Sequence, residues 1–167
     1  MKKLLMILPL VFLLCFAFGC QKAEEVAEEP AVDIAAEEEA IRTLTSEWFA
    51  AELRRDMEAC LSNFAPDAVL HVEGAPSIVG TSAIRAAYEE FFKLPFTDWV
   101  MEPRTVFVSK SGDLAYDFGS FKMVIEDSEG RTEVPSKNII IWRKLEGQWK
   151  CVVITGSNDT PPSPPSE

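Results

Sequence analysis

Hydrophobic spacing changes period once along this chain, and that change limits the folds open to it. From Ile34 to Leu53 the residues Ile41, Leu44, Trp48 and Ala51 recur at steps of three and four, the spacing of one apolar helix face. Past Arg54-Arg55 the apolar set moves round the wheel to Met57, Cys60, Leu61 and Phe64, with Asp56 placed to cap a second, short helix. Pro66-Asp67 stops that helix, residues 68–73 read as a strand, and Gly74-Ala75-Pro76 turns the chain. Thr81 or Ser82 caps a third helix, in which Ile84, Ala87, Tyr88, Phe91 and Phe92 form one stripe before Pro95. From Trp99 onward the period is two. Alternating segments run over 99–108, 114–125, 133–145 and 148–155, joined by turns at Ser111-Gly112-Asp113, Asp127-Ser128-Glu129-Gly130 and Glu146-Gly147. Helices first and strands afterwards predict an α+β layer fold in the order α-α-β-α-β-β-β-β. Its helices lie against one face of a curved, mostly antiparallel sheet.

The ends of the chain have a different character. Met1-Lys2-Lys3 followed by an apolar run from Leu4 to Phe18 is the pattern of a secretory leader, and about fifteen apolar residues fall short of the ~20 that cross a bilayer as a helix. Residues 22–30 are charged and lack large apolar side chains, so they read as a flexible acidic tether. At the other end Pro161, Pro162, Pro164 and Pro165 mark an extended, disordered tail over 159–167. The division expected is a leader over 1–19, a tether over 20–32, one folded domain over 33–158 and the tail. A formal charge of −11, deepened when the leader takes Lys2 and Lys3 with it, repels nucleic-acid phosphate and excludes that class of partner.

Gly19-Cys20, preceded by Ala17-Phe18, resembles the lipobox of bacterial lipoproteins, in which the cysteine becomes the lipidated first residue. The resemblance implies export and a lipid anchor on Cys20. Gln21 after it favours the outer membrane, with the domain facing the periplasm or the exterior. Of the remaining cysteines, Cys60 and Cys151 can pair in an oxidising compartment or stay as buried apolar thiols. No CxxC pair and a single histidine leave nothing with which to build a zinc site, and no cofactor or metal is expected.

Several local segments, taken in order, point to one family. They are Trp48, Arg55-Asp56, Phe64-Ala65-Pro66-Asp67-Ala68-Val69, Gly80 before Ala83-Ile84-Arg85, Gly112-Asp113-Leu114-Ala115-Tyr116-Asp117-Phe118-Gly119, and Trp142-Arg143-Lys144 with Gly147-Gln148-Trp149-Lys150. Over 34–158 this set resembles the nuclear transport factor 2-like superfamily, in its SnoaL-like and ketosteroid isomerase-like branch, and within that a bacterial group of largely unassigned function. The resemblance implies a cone, in which a bent sheet wraps the helices and leaves a mostly apolar pocket. It also implies a homodimer through the outer sheet face.

Two main functions compete for that pocket. A membrane-anchored module would bind a small apolar or amphipathic molecule without transforming it. An isomerase, cyclase or dehydratase would need a positioned base in an apolar cavity and a donor for the developing oxyanion. The binding module is the favoured reading, and a buried carboxylate or histidine with a shifted pKa in the cone would reverse that preference. The third option is a dimeric scaffold whose pocket is closed. His71 and Glu73, two apart on one strand, share a face and are the candidate catalytic groups. The pocket expected is lined by Trp48, His71, Glu73, Tyr88, Phe92, Trp99, Tyr116 and Asn138. Tyr116 and Asp117 point to opposite faces, so one of them at most lines it. Trp142 and Trp149 read as cross-strand packing, Asp113 as a turn residue and Lys137 as an exposed sheet lysine. HExxH, a P-loop, a dinucleotide fingerprint and a nucleophile elbow are all missing from the sequence.

Overall fold

The computed structural model describes residues 32–159. The leader, the tether with Cys20, and the proline-rich tail past Asp159 lie outside the described residues. Helix α1 spans Ile34–Leu53 and α2 Met57–Leu61, each started by an aspartate: Ala36 N donates to Asp33 Oδ1 and Ala59 N to Asp56 Oδ1, both at 3.1 Å. Strand β1 (Phe64–His71) and the two-residue β2 (Ile78–Val79) lead into α3 (Thr81–Phe91). The cap of α3 is Gly80, at φ 82°, rather than the hydroxyl of Thr81 or Ser82. The remainder is β3 (Phe96–Met101), β4 (Thr105–Val108), β5 (Leu114–Asp127), β6 (Gly130–Leu145) and β7 (Gln148–Asn158).

These strands form one mixed sheet in the order β2-β1-β7-β6-β5-β3, with β4 also on β5. The α+β fold class stands, with three refinements. The segment read as one strand over 99–108 is two, because Pro103 brings no N–H to a ladder and the chain breaks at Glu102-Pro103-Arg104. Strand β1 begins at Phe64 and pairs with β7 in parallel, its register shifting between Phe64 and Val69 around Pro66. The short β2 closes the edge beside it.

Helix α1 lies along the concave face. It packs against β3 and β4, while its first turn reaches the far hairpin: Lys144 Nζ and Trp149 Nε1 both donate to Glu37, at 2.6 and 2.7 Å. Lys144, half-buried beside it, holds the Glu37 carboxyl below the usual carboxylate range. Trp149 therefore anchors the helix as well as packing across its strand. The core between helices and sheet is built from Ile41, Trp48, Ile84, Ile140, Trp142 and the two cysteines. Trp48 meets Phe64 and Trp142 edge-on, at centroid distances of 4.8 and 5.8 Å. Cys60 and Cys151 are free thiols in this core. Burial pushes the Cys60 thiol up to about 12 and raises that of Cys151 as well, so both behave as small apolar residues.

Candidate functional site

Alternation along β5 sends Ala115 and Asp117 inward and Leu114, Tyr116 and Phe118 outward. Asp117 is fully buried, and both of its carboxylate oxygens are taken. Oδ1 accepts from Arg104 Nη2, while Oδ2 accepts from Thr45 Oγ1 at 2.5 Å and from Trp142 Nε1 at 3.3 Å. The break after β3 supplies the arginine, α1 the threonine and β6 the tryptophan, so three separate parts of the fold converge on one carboxylate. A buried aspartate held from three sides in this way anchors structure.

Its partner is in the opposite condition. The Arg104 side chain is 7% exposed and spends one nitrogen on Asp117, while Nε and Nη1 have no partner among the described residues. The chain lies over Gly119, where an added Cβ would stand 3.0 Å from Arg104 Cγ. Across the ladder from Gly119 is Asn138, buried, with Oδ1 unpartnered; beyond Asn138 the next strand again offers a glycine, Gly156. Two residues along β5, Phe121 packs on Trp99 at 5.4 Å, and the buried Trp99 Nε1 is also unpartnered. Phe49 of α1 closes over Trp99 and Phe121 at 5.4 and 5.5 Å. The unpartnered buried side-chain atoms thus lie beside one row of β5, Arg104 and Asn138 at Gly119 and Trp99 on Phe121 two residues further on. Each would cost about 1–3 kcal/mol if nothing met it.

A second polar group sits among the helices. Thr45, Trp48 and Glu52 share one face of α1 at i, i+3 and i+7. Trp48 Nε1 donates to Tyr88 Oη at 2.9 Å, and that hydroxyl donates to Glu52 Oε1 at 2.7 Å. Burial pushes the Glu52 carboxyl up to about 7, against the opposing pull of Tyr88 and Arg55, and raises the Tyr88 phenol well above its ordinary value.

Of the residues expected to line a pocket, Trp48, Tyr88, Trp99 and Asn138 lie inside the fold, and Phe92, half-buried, meets Tyr88 edge-on at 5.4 Å. Three do not. His71 is exposed at the end of β1, its Nδ1 3.0 Å from Ser77 Oγ, because β1 leaves the core at that point. Glu73 is exposed past the strand end and accepts from Asn158 N at 3.3 Å. Tyr116 faces outward, since the inward position is held by Asp117. Arg104, Thr45, Glu52 and Gly119 were not singled out as site residues. The glycine within an alternating strand is the signal that could have found the first, because such a glycine marks a close approach. Glu52, four residues after Trp48 on the buried face, was legible by periodicity. Among the described residues no three His, Cys, Asp or Glu side chains converge as metal ligands.

Residues 45–152 match the SnoaL-like domain. The chain belongs to the SnoaL-like family. No curated protein matches the chain in sequence. Solved structures do match it in fold. A ketosteroid isomerase-like protein from Erwinia carotovora atroseptica superposes with a TM-score of 0.66 at 22% identity, over 75% of this chain and 98% of that one. A nuclear transport factor 2-like protein with a cystatin-like fold from Novosphingobium aromaticivorans gives 0.66 at 20%, over 77% and 86%. The association domain of C. elegans CaMKII gives 0.63 at 21%, over 74% and 96%. At these identities the likeness establishes the fold. The SnoaL-like domain here is therefore a cone whose concave face carries Arg104, Asp117 and Asn138 under α1.

Proposed function

We propose that this SnoaL-like domain binds a small amphipathic molecule in its cone, on the surface made by Thr45, Phe49, Trp99, Arg104, Phe121 and Asn138. The observation that carries the reading is the set of buried polar atoms without partners among the described residues, at Arg104, Asn138 and Trp99, on the β5 row that also carries the cluster of Phe49, Trp99 and Phe121. A ligand with a polar end and an apolar body satisfies both. The lipobox-like Cys20 would tether the domain to a bacterial membrane, the outer one favoured, so that capture occurs outside the cytoplasm. Native mass spectrometry on the gently purified full chain tests the binding. A retained small molecule, released on denaturation, is the expected result; an empty protein that gains no thermal stability from a broad panel of amphipathic compounds overturns it. Labelling with palmitate, lost in Cys20→Ser, tests the anchor.

A second reading rests on Glu52. A carboxyl poised near neutrality and hydrogen-bonded to a phenol can hold or release a proton at working pH, as an isomerase, cyclase or dehydratase requires. It sits between α1 and α3 rather than on the β5 row, which leaves binding the better-supported function. Turnover of a captured ligand, abolished by Glu52→Gln with binding retained, would reverse that order.

The outer sheet face supports a homodimer. Phe107, Leu114, Tyr116, Phe118 and Ile139 are between 42% and 52% exposed on neighbouring strands, and the Phe107 and Tyr116 rings stack at 5.2 Å. Contiguous apolar surface of this kind marks an interface. A fold neighbour named as an association domain is in keeping with it.

A further inference from the structure

We propose that the molecule bound in the cone carries a carboxylate, received by the free N–H groups of Arg104. This rests on the reading of the cone as a binding site and narrows it to one ligand class.

The argument starts from a count of donors and acceptors. A guanidinium has five N–H groups and no acceptor. In this site only Nη2 has a partner, while Nε and Nη1 have none among the described residues, with the side chain 7% exposed. The acid it meets, Asp117, already takes three hydrogen bonds, from Arg104, Thr45 and Trp142. The indole N–H of Trp99 adds another unmatched donor, and Asn138 Oδ1 is the single unmatched buried side-chain acceptor among the described residues. Donors are therefore in excess, and a fitting ligand brings more acceptors than donors.

A carboxylate is the compact group that does so. Its two oxygens accept without donating, and hydrogen bonds between charged partners are about twice as strong as neutral ones. A carbonyl brings one uncharged oxygen, and a primary amide adds two donors of its own to a site already rich in them. The cluster of Phe49, Trp99 and Phe121, packed edge-on along the same row, offers apolar surface for the remainder of such a molecule, a flat ring or alicyclic body. Gly119 has a part in this as well. A Cβ at that position would stand 3.3 Å from Nη1, so the bare α-carbon leaves room beside the unpartnered nitrogen.

The test is calorimetric titration of the full chain in detergent with matched pairs of carboxylic acids and their primary amides, 2-naphthoate with 2-naphthamide and benzoate with benzamide. These are run on the wild type, Arg104→Gln and Gly119→Ala. The expected result is that the acids bind roughly tenfold or more tightly than the amides, and that this preference falls towards unity in both variants. Gly119→Ala keeps the arginine and its aspartate while crowding Arg104 at Cγ and at Nη1, so it reads the same preference should Arg104→Gln fail to fold. Acids and amides that bind equally would overturn the carboxylate while leaving the cone as a binding site. An acid preference that persists unchanged in Gly119→Ala would overturn Arg104 as its receiver. Failure of both members of both pairs to bind would overturn the carboxylate and count against the pocket reading too.

Discussion

Arg104 reaches Asp117 by crossing β5 over the α-carbon of Gly119, and any side chain at 119 would lie in its path. A methyl group there stands 3.0 Å from Arg104 Cγ, tighter than ordinary contact, so the arginine must shift or the strand must yield. Gly119→Ala is expected to destabilise the domain by about 1–3 kcal/mol, the usual range for overpacking. Urea denaturation reads it. In an Arg104→Ala background the same change should cost little, because the crowded partner is gone; equal costs in both backgrounds would show that the strain lies elsewhere.

The ion pair itself makes a sharper prediction. Arg104→Met leaves the buried carboxylate of Asp117 with Thr45 and Trp142 alone, and breaking a buried pair from one side costs on the order of 3–5 kcal/mol. Replacing both partners, as Arg104→Met with Asp117→Leu, removes the orphaned charge and should recover most of that loss. Chemical denaturation of the two single variants and the double gives the coupling directly. A double variant less stable than either single one would show that the pair holds the fold by more than its own charges.

Much of the fold was legible because it follows from local periodicity. Helix α1 has the bounds that its apolar steps give, Asp56 caps α2 as its position suggests, and the strand alternation runs where it was expected. What could not be read locally was pairing over distance. The parallel contact between β1 and β7 joins residues more than eighty apart, and nothing in the spacing of Phe64 to His71 announces it. The site divides in the same way. Trp48, Tyr88, Trp99 and Asn138 sit on faces that period alone turns inward. His71 and Glu73 also share a face, but the strand runs out of the core before reaching them. Alternation says that at most one of Tyr116 and Asp117 faces inward but not which, and Asp117 can be the one because Arg104, Thr45 and Trp142 offset the cost of burying its charge from three distant parts of the chain. His71→Ala is accordingly expected to change thermal stability by no more than about 0.5 kcal/mol and to leave ligand binding as it is, since exposed positions away from special features behave so. A loss of binding in that variant would move the site to the end of β1.

Glu52 gives the fold a distinct response to pH. Its carboxyl is pushed from 4.5 to about 7 in the folded state, chiefly by burial, so the folded protein keeps a proton that the unfolded chain releases. Stability from this group is therefore greatest below about pH 4.5, declines as pH rises from there to about 7, and is level beyond. The total is on the order of 3 kcal/mol. Glu37 acts in the other direction and in another window: held low by Lys144, it contributes stability above its unfolded value of 4.5 and loses it as pH falls through the folded one. Glu52→Gln retains an acceptor for the Tyr88 hydroxyl without the titration. Urea midpoints at pH 5 and pH 8 should fall in the wild type and stay nearly level in the variant, which should be the more stable of the two at pH 8. A slope unchanged by the substitution would assign the titration to another group.

The outward row of β5 should decide the state of association. Tyr116 stacks between Phe107 at 5.2 Å and Phe118 at 6.3 Å, so a flat aromatic surface crosses two strands, with Ile139 beside it on β6. None of these side chains supports the core, since each faces away from α1, and a charge placed there is solvated in the monomer at little cost. Burying that charge in a second copy would cost far more, because it would have no partner across the interface. Tyr116→Lys and Phe118→Lys should therefore shift sedimentation from dimer to monomer while moving the melting temperature of the isolated monomer little. A chain that sediments as a monomer at high concentration, or a double variant that stays dimeric, would remove the outer face as the interface.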